Sequence, residues 1–144
     1  MYCTSNVDID RVYPKLYSQL QGNRLFLYNY AAKLHKINKH HESNIIAHKC
    51  SEIWNDYYLE LIIADNYEQT SQYKKAIDHY KIAHYMCPNR IFPMYKISKI
   101  FLIEQDTINA LHYAKKVINS KIKIESEIST RIKNEMTTLL KTYE

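Results

Sequence analysis

Residues of similar size recur along this chain at intervals of 33 and 34 positions. The same two shifts align small residues with small ones and, in most cases, large apolar or aromatic residues with each other. Four sets keep this register: Ala31, Ala64 and Ser98; Leu34, Tyr67 and Phe101; Ser43, Ala76 and Ala110; and Ala47, Tyr80 and Ala114. A period of this length is typical of a two-helix unit that cannot bury its apolar face alone. The register therefore predicts three stacked units that need caps at their ends.

Residues that break helices are scarce in this chain, which favours helix almost everywhere. Its 144 residues include one glycine, Gly22, and three prolines, Pro14, Pro88 and Pro93. Phosphate-binding loops, nucleophile elbows and dinucleotide-binding folds need several glycines, because their backbone must approach a ligand closely or adopt a positive φ. We therefore predict an all-α chain and set those classes of enzyme aside.

The periodicity and the capping residues divide one domain, residues 1–144, into helical segments. The predicted segments are an N-terminal helix at 9–22, repeat units at about 24–56, 57–90 and 91–124, and a capping helix at 126–143. Asn23, Asn55, Asp106 and Ser126 are expected to cap helix N-termini. The alternating Lys and Ile residues near 120–125 predict an extended connector rather than a lone strand. The capping helix is expected to face the core with Ile128, Ile132, Met136, Leu139 and Leu140.

The central unit resembles a tetratricopeptide (TPR) repeat. The residues that carry the resemblance are Ile63, Ala64, Tyr67, Ala76, Tyr80 and Pro88, with Glu60 at the position of the family's leading tryptophan. The third unit fits this pattern more loosely, and the first fits it most weakly. The resemblance implies a right-handed solenoid of antiparallel helix pairs, in which the first helix of each pair lines a concave face.

Four segments extend the resemblance over most of the chain. They are FLYNYAA (Phe26–Ala32), ADNYEQ (Ala64–Gln69), MCPNRIFPMY (Met86–Tyr95) and KIKIESE (Lys121–Glu127). These segments resemble the soluble C-terminal TPR region of O-antigen ligase/polymerase-like membrane proteins of Bacteroidetes. In that family the glycan-transfer residues lie in a preceding membrane domain, so none of them is carried onto this sequence. The resemblance implies a scaffold module, either the tail of such a protein or a relative of it.

The charge and hydropathy patterns bear on partners and compartment. The net charge is +5, from 20 basic and 15 acidic residues that are interleaved along the chain. Because the basic residues are not clustered on one face, we predict no nucleic-acid partner. Residues 1–20 lack the apolar core of a signal peptide, and no apolar run is long enough to span a bilayer. The sequence leaves two compartments open. The chain is expected either in the cytoplasm or attached to the inner membrane through an upstream domain.

The sequence offers few residues for catalysis or metal binding. His40, His41 and His48 share one predicted helix, and His41 begins an HExxH-like pattern, but Ile45 stands where its second histidine belongs. Cys50 falls in a small-residue column, which favours a packing role over a nucleophile. We therefore predict no catalysis, no cofactor and no metal. A small glycan-handling enzyme is the competing hypothesis.

The first helices of the units are the expected binding surface. The residues there that the packing columns do not use are Tyr28, Lys36, Tyr58, Leu61, Asp65, Tyr95 and Lys99. Three tyrosines at equivalent places are expected to form an aromatic ladder for a protein or peptide segment, flanked by lysines that steer acidic partners. One alternative is that these tyrosines only pack between helices. Another is that the chain is a structural spacer.

Overall fold

A computed structural model describes residues 6–144 of the chain, with side chains from Ile9 onward. Within this range the secondary structure is helical, and no strand occurs. The eight helices are α1 (Asn6–Leu20), α2 (Arg24–Lys36), α3 (His40–Ile53), α4 (Tyr57–Gln69), α5 (Tyr73–Met86), α6 (Phe92–Ile103), α7 (Thr107–Asn119) and α8 (Glu127–Tyr143). Over residues 6–144, no helix is both long enough and apolar enough to cross a membrane.

Each helix packs against the next one in the chain, so the helices form an antiparallel stack. In addition, α2 packs against α4, and α6 packs against α8. The first helices α2 and α4 therefore lie side by side, and Lys96 of α6 reaches Glu68 of α4 at 3.0 Å, so the first helices together form one face. This arrangement confirms the predicted all-α, TPR-like helical-repeat fold with a C-terminal capping helix.

The tight turns inside the three helix pairs repeat the sequence register in their backbone geometry. Asn38, Ser71 and Gln105 adopt positive φ angles of 64°, 59° and 61°. In each turn the next residue's N–H bonds back to the carbonyl five residues earlier, as in Lys39 N–H to Leu34 O at 2.9 Å. Such a turn usually holds glycine, because a left-handed residue with a Cβ is strained. Here three non-glycine residues carry that strain.

The aligned small residues form the contact between the two helices of each pair. Ala31, Ala64 and Ala76 are fully buried, and so are two serines of these columns. The Ser43 hydroxyl donates to the Ala31 carbonyl at 2.7 Å, from the second helix of its pair to the first. The Ser98 hydroxyl donates to the Ala110 carbonyl at 2.8 Å, from the first helix of its pair to the second. A serine therefore stands in for alanine without leaving an unpaired buried hydroxyl.

The structure corrects three expectations about the helices. The N-terminal helix spans Asn6–Leu20 rather than 9–22. The N-cap of α4 is Asp56, whose Oδ1 accepts the Leu59 N–H at 2.8 Å, whereas Asn55 donates its side-chain amide to Glu60. Ile128 is 62% exposed because it lies in the first turn of α8, beyond the end of the core. The division into units at 24–56, 57–90 and 91–124 stays a prediction.

Other local expectations agree with the structure. Asn23 accepts the Phe26 N–H as the N-cap of α2, and Asp106 accepts the Asn109 N–H as the N-cap of α7. Ser126 forms a capping box with Ser129 at the start of α8. Residues 120–126 contain neither helix nor strand, as expected for a connector.

Candidate functional site

A groove crosses the face formed by the first helices of the pairs, and we call it the central groove. Its volume is about 330 Å³, and α2, α4, α5 and α6 contribute its walls. The side chains that line it are Tyr28, His35, Tyr58, Leu61, Ile62, Asp65, Tyr80 and Phe92. Four of the seven predicted binding residues, Tyr28, Tyr58, Leu61 and Asp65, therefore meet in one concave site.

A line of polar contacts links the three first helices along the groove. Asp65 Oδ2 lies 3.3 Å from His35 Nε2, and Asp65 Oδ1 lies 4.0 Å from Lys96 Nζ. Lys96 Nζ also contacts Glu68 Oε1 at 3.0 Å, and the Tyr80 hydroxyl donates to Glu68 Oε2 at 2.7 Å. Burial and the neighbouring Glu68 raise the pKa of Tyr80, so its hydroxyl stays a hydrogen-bond donor at neutral pH. The polar wall of the groove is thus fixed by its own partners.

Asn66 anchors a buried hydrogen-bond network directly beneath this polar wall. Its side chain is fully buried, and its Oδ1 lies 2.8 Å from Nδ1 of both His35 and His40. Its Nδ2 donates to Ser43 Oγ at 2.8 Å and to Asn44 Oδ1 at 2.9 Å. All polar capacity of this amide is used, which holds α2, α3 and α4 in one register.

Tyr58 marks the aromatic end of the groove. It is 51% exposed, and its hydroxyl accepts a hydrogen bond from Arg90 Nη1 at 2.8 Å. The Arg90 guanidinium lies 4.8 Å from the ring centre of Tyr57 and 5.1 Å from that of Tyr58. This stacking fixes an aromatic face that is still open to solvent.

Tyr95 and Lys99 point toward the capping helix and do not line the central groove. The Tyr95 hydroxyl donates to Glu135 Oε2 at 2.8 Å, and Lys99 Nζ contacts Glu135 Oε1 at 2.7 Å. The hydrogen bond to Glu135 raises the pKa of Lys99. For Glu135, burial opposes ionisation, but the bonds from Lys99 and Tyr95 lower its pKa overall. These two predicted site residues therefore dock α8 onto α6.

The expected equivalence of the three tyrosines is wrong. Tyr58 directly follows the first residue of α4, whereas Tyr28 lies four residues after the first residue of α2 and Tyr95 lies three after the first of α6. Tyr58 is thus displaced by most of a helical turn from the other two. Lys36 is the exposed last residue of α2 and does not line the groove.

Four residues of the groove were not among the predicted binding residues: His35, Ile62, Tyr80 and Phe92. Phe92 was detectable, because it lies 34 residues after Tyr58 in the repeat register. Tyr80 belongs to a packing column of the repeat, and its ring is buried while its hydroxyl reaches Glu68. His35 carries no sequence signal for its pairing with Asp65, which follows from how the two helices lie together.

A second polar cluster fills the place of the TPR tryptophan. Glu60 is only 3% exposed, and its two oxygens contact His79 Nδ1 at 2.7 Å and the Asn55 amide at 2.6 Å. Nearby, His48 Nε2 lies 3.0 Å from the Tyr67 hydroxyl, and the His48 and His79 rings are 5.7 Å apart. Burial, followed by the charge of His79, lowers the pKa of His48. The cluster is part of the packing between α3, α4 and α5.

The other candidates from the sequence lie apart from the central groove. Cys50 is 2% exposed and packs in the core between α2 and α3. Among the side chains described, from Ile9 to Glu144, no three His, Cys, Asp or Glu residues are placed to hold a metal ion together. His40 and His48 are instead bonded to Asn66 and Tyr67.

Comparison with known proteins finds similar structures but no family and no related sequence. No family model matches the chain, and no curated protein matches it, so neither comparison supports the resemblance to O-antigen ligase/polymerase-like proteins. Two crystal structures of MamA are similar, with TM-scores of 0.72 and 0.73 and 15% sequence identity in both. They match 94% of this chain and 80% and 86% of their own chains. The chain therefore has a TPR-like, all-helical repeat fold, similar to that of MamA.

Proposed function

We propose that this chain is a non-catalytic interaction module that binds a segment of a partner protein in the central groove. The observation that carries the proposal is the convergence of Tyr28, Tyr58, Leu61 and Asp65 in one open groove across α2, α4 and α6. TPR-like folds generally bind protein partners, and stacked helical repeats use such concave surfaces to do so.

The side chains of the groove suit an extended peptide. Tyr28 is half-buried and Tyr58 is half-exposed, so both offer ring faces while their positions are fixed by neighbours. Tyrosine anchors of this kind supply contact area at a low cost in conformational entropy. Leu61 supplies an apolar surface between them, and the Asp65 carboxylate, which already contacts His35 and Lys96, has further lone pairs that can accept from donors of the peptide. Lys36 alone attracts acidic residues of the partner in this proposal, because Lys99 is paired with Glu135.

The absence of catalysis is part of the same proposal. The charged and titratable groups beside the groove are paired with each other, as in the contacts of Lys96 with Asp65 and Glu68. Glu60 and His79, the most enclosed acid–histidine pair, lie in the packing between helices rather than in the groove. This arrangement favours a binding surface over a small glycan-handling enzyme.

Selection of linear peptides from a phage-displayed random library tests the groove directly. We expect enriched peptides to bind the wild-type chain and to lose at least about tenfold in affinity against a Tyr58→Ala, Leu61→Glu double variant. Tyr85→Ala is the matched control, because Tyr85 is 76% exposed on α5 and lies outside the groove. Equal binding to the groove variant, or no enrichment at all, would favour the spacer function instead.

We further propose that the partner belongs to envelope-polysaccharide assembly, with this chain as the tail or a relative of an O-antigen ligase/polymerase-like protein. The resemblance of the four segments, among them Met86–Tyr95, supports this assignment. Crosslinking in the source cells, through a photoreactive residue at position 58, tests it. Capture of a glycan-assembly membrane protein is the expected result, and crosslinks confined to unrelated proteins would refute the assignment.

A further inference from the structure

A smaller cavity adjoins the central groove between the first turn of α2, the end of α3 and the start of α4. We call it the side cavity. It is lined by Arg24, Leu25, Tyr28, Cys50, Trp54, Asp56 and Leu59, and its volume is about 230 Å³. Tyr28 lines both spaces, so the side cavity continues the groove at its N-terminal end.

The size of the side cavity selects one kind of occupant. Pockets for drug-sized ligands usually measure about 300–1,000 Å³. A dry cavity of about 150 Å³ with apolar walls already holds a benzene molecule. At about 230 Å³, the side cavity is too small for a typical ligand but large enough for one phenyl or indole group. Its inner walls, Leu59, Cys50 and the Tyr28 ring, offer an apolar surface to such a group.

The mouth of the side cavity carries a cation, Arg24, that forms no ion pair with any carboxylate of the described residues. The Arg24 guanidinium lies 4.2 Å from the ring centre of Trp54. Among the described residues, no carboxylate forms an ion pair with Arg24. Asp56 also lines the cavity, but its Oδ1 is engaged as the N-cap of α4. A guanidinium stacked on an aromatic ring keeps its N–H edge free, and that edge matches a carboxylate.

We propose that the side cavity receives one large aromatic side chain of the partner segment, and that Arg24 binds a carboxylate next to it in that segment. This inference rests on the proposed function, since the segment is the one that lies in the central groove. It adds a specificity rule: a Phe or Trp followed or preceded by Asp or Glu should be the anchor of the partner.

Trp54 provides a direct readout, because it is the only tryptophan in the chain and stands at the mouth of the cavity. Its indole N–H gives one NMR signal, which can be followed while unlabelled peptides are added to the ¹⁵N-labelled chain of 144 residues. The probes are acetyl-Gly-Phe-Glu-Gly-amide, the same peptide with Gln in place of Glu, and the same peptide with Ala in place of Phe. We expect saturable shifts with the first peptide, affinity weaker by about two- to fivefold with the Gln peptide, and no shift with the Ala peptide.

Two variants and one matched control complete the test. Arg24→Gln should abolish the preference for the Glu peptide over the Gln peptide. Leu25→Glu should weaken Phe-dependent binding by at least about fivefold, because it places a charge on the apolar rim. Leu25 is 66% exposed, so the variant keeps the fold. Ile128→Glu is its control, at the same place in α8 with 62% exposure, and should bind like the wild type.

Each outcome separates this inference from the proposed function. No peptide-induced shift at Trp54, or equal shifts with the Phe and Ala peptides, would overturn the side-cavity proposal. If shifts then appear at Leu61 and Asp65 instead, the central groove still binds peptides and only the anchor is misplaced. The affinity of the library-selected peptides for the Tyr58→Ala, Leu61→Glu variant is a separate measurement. It tests only whether the central groove binds a segment.

Discussion

Replacing Asn66 by alanine should be among the most destabilising single substitutions in this chain. Its amide is fully buried beneath the central groove and takes part in four side-chain hydrogen bonds. Alanine removes all four, and it leaves Asn44 Oδ1 in the core without the donor that it now has. Ser43 keeps one partner, since its hydroxyl still donates to the Ala31 carbonyl.

The expected loss follows from the burial of each partner. A typical intramolecular hydrogen bond contributes about 1 kcal/mol net, and an unsatisfied buried group costs about 1–3 kcal/mol. His35 and His40 are only partly buried, so their ring nitrogens regain water after the substitution and lose little. The bonds to Ser43 and Asn44 are buried and are lost without compensation. Alanine recovers a few tenths of a kcal/mol through its higher helix propensity. The sum is a loss of about 2–4 kcal/mol in the free energy of unfolding.

Urea denaturation followed by circular dichroism measures this loss. Asn134→Ala is the matched control, because Asn134 is an exposed asparagine in the middle of α8, and its unfolding midpoint should not fall. A loss below about 1 kcal/mol for Asn66→Ala, with an unchanged urea slope, would contradict the assignment of the network as a structural anchor.

Three further predictions concern strain, packing and pH. Gln105→Gly should stabilise the fold by up to about 1 kcal/mol in urea denaturation, because it relieves the positive φ of 61° at a cost in unfolded-chain entropy; no gain would mean that the turn is not strained. Ala64→Leu should cost about 1–3 kcal/mol, since a fully buried contact becomes overpacked, and an unchanged melting temperature would refute this. Burial and His79 lower the pKa of His48, so the unfolded chain binds that proton more readily than the folded one. The contribution of His48 to the free energy of unfolding is therefore fully present above about pH 6.5 and is lost as the pH falls below that value. In urea denaturation at several pH values, His48→Gln should lose less stability at low pH than the wild type. An unchanged pH profile would contradict this role of His48.

The helices and their register were predictable because the information is local and repeated. Positions 33 and 34 residues apart share one environment, so the small residues that let helices approach mark the same place in every unit. The same spacing reappears in the positive φ angles of Asn38, Ser71 and Gln105, which the sequence alone did not reveal. Glycine would have marked these turns. The single Gly22 lies elsewhere in the chain.

The binding site was only partly predictable because it joins side chains from different helices. Whether a residue lines the groove depends on its height along the helix and on the angle between neighbouring pairs, and neither follows from the period. Tyr58 is displaced by most of a turn from Tyr28, and Phe92 takes the place expected for Tyr95. Tyr95 and Lys99 instead bond to Glu135, which follows them by 40 and 36 residues in the sequence.

The buried polar residues explain how a repeat with an atypical sequence can still hold a defined groove. Contacts between stacked units usually rest on apolar packing, which tolerates small shifts of one helix past another. Between α2, α3 and α4, the Asn66 amide instead requires specific partners from both neighbouring helices. A displaced register would leave this amide unpaired at about 1–3 kcal/mol for each buried group, so one arrangement is selected. His35 belongs both to this network and to the wall of the central groove. The walls of the groove are therefore ordered before a partner arrives, which lowers the entropy cost of binding the segment proposed here.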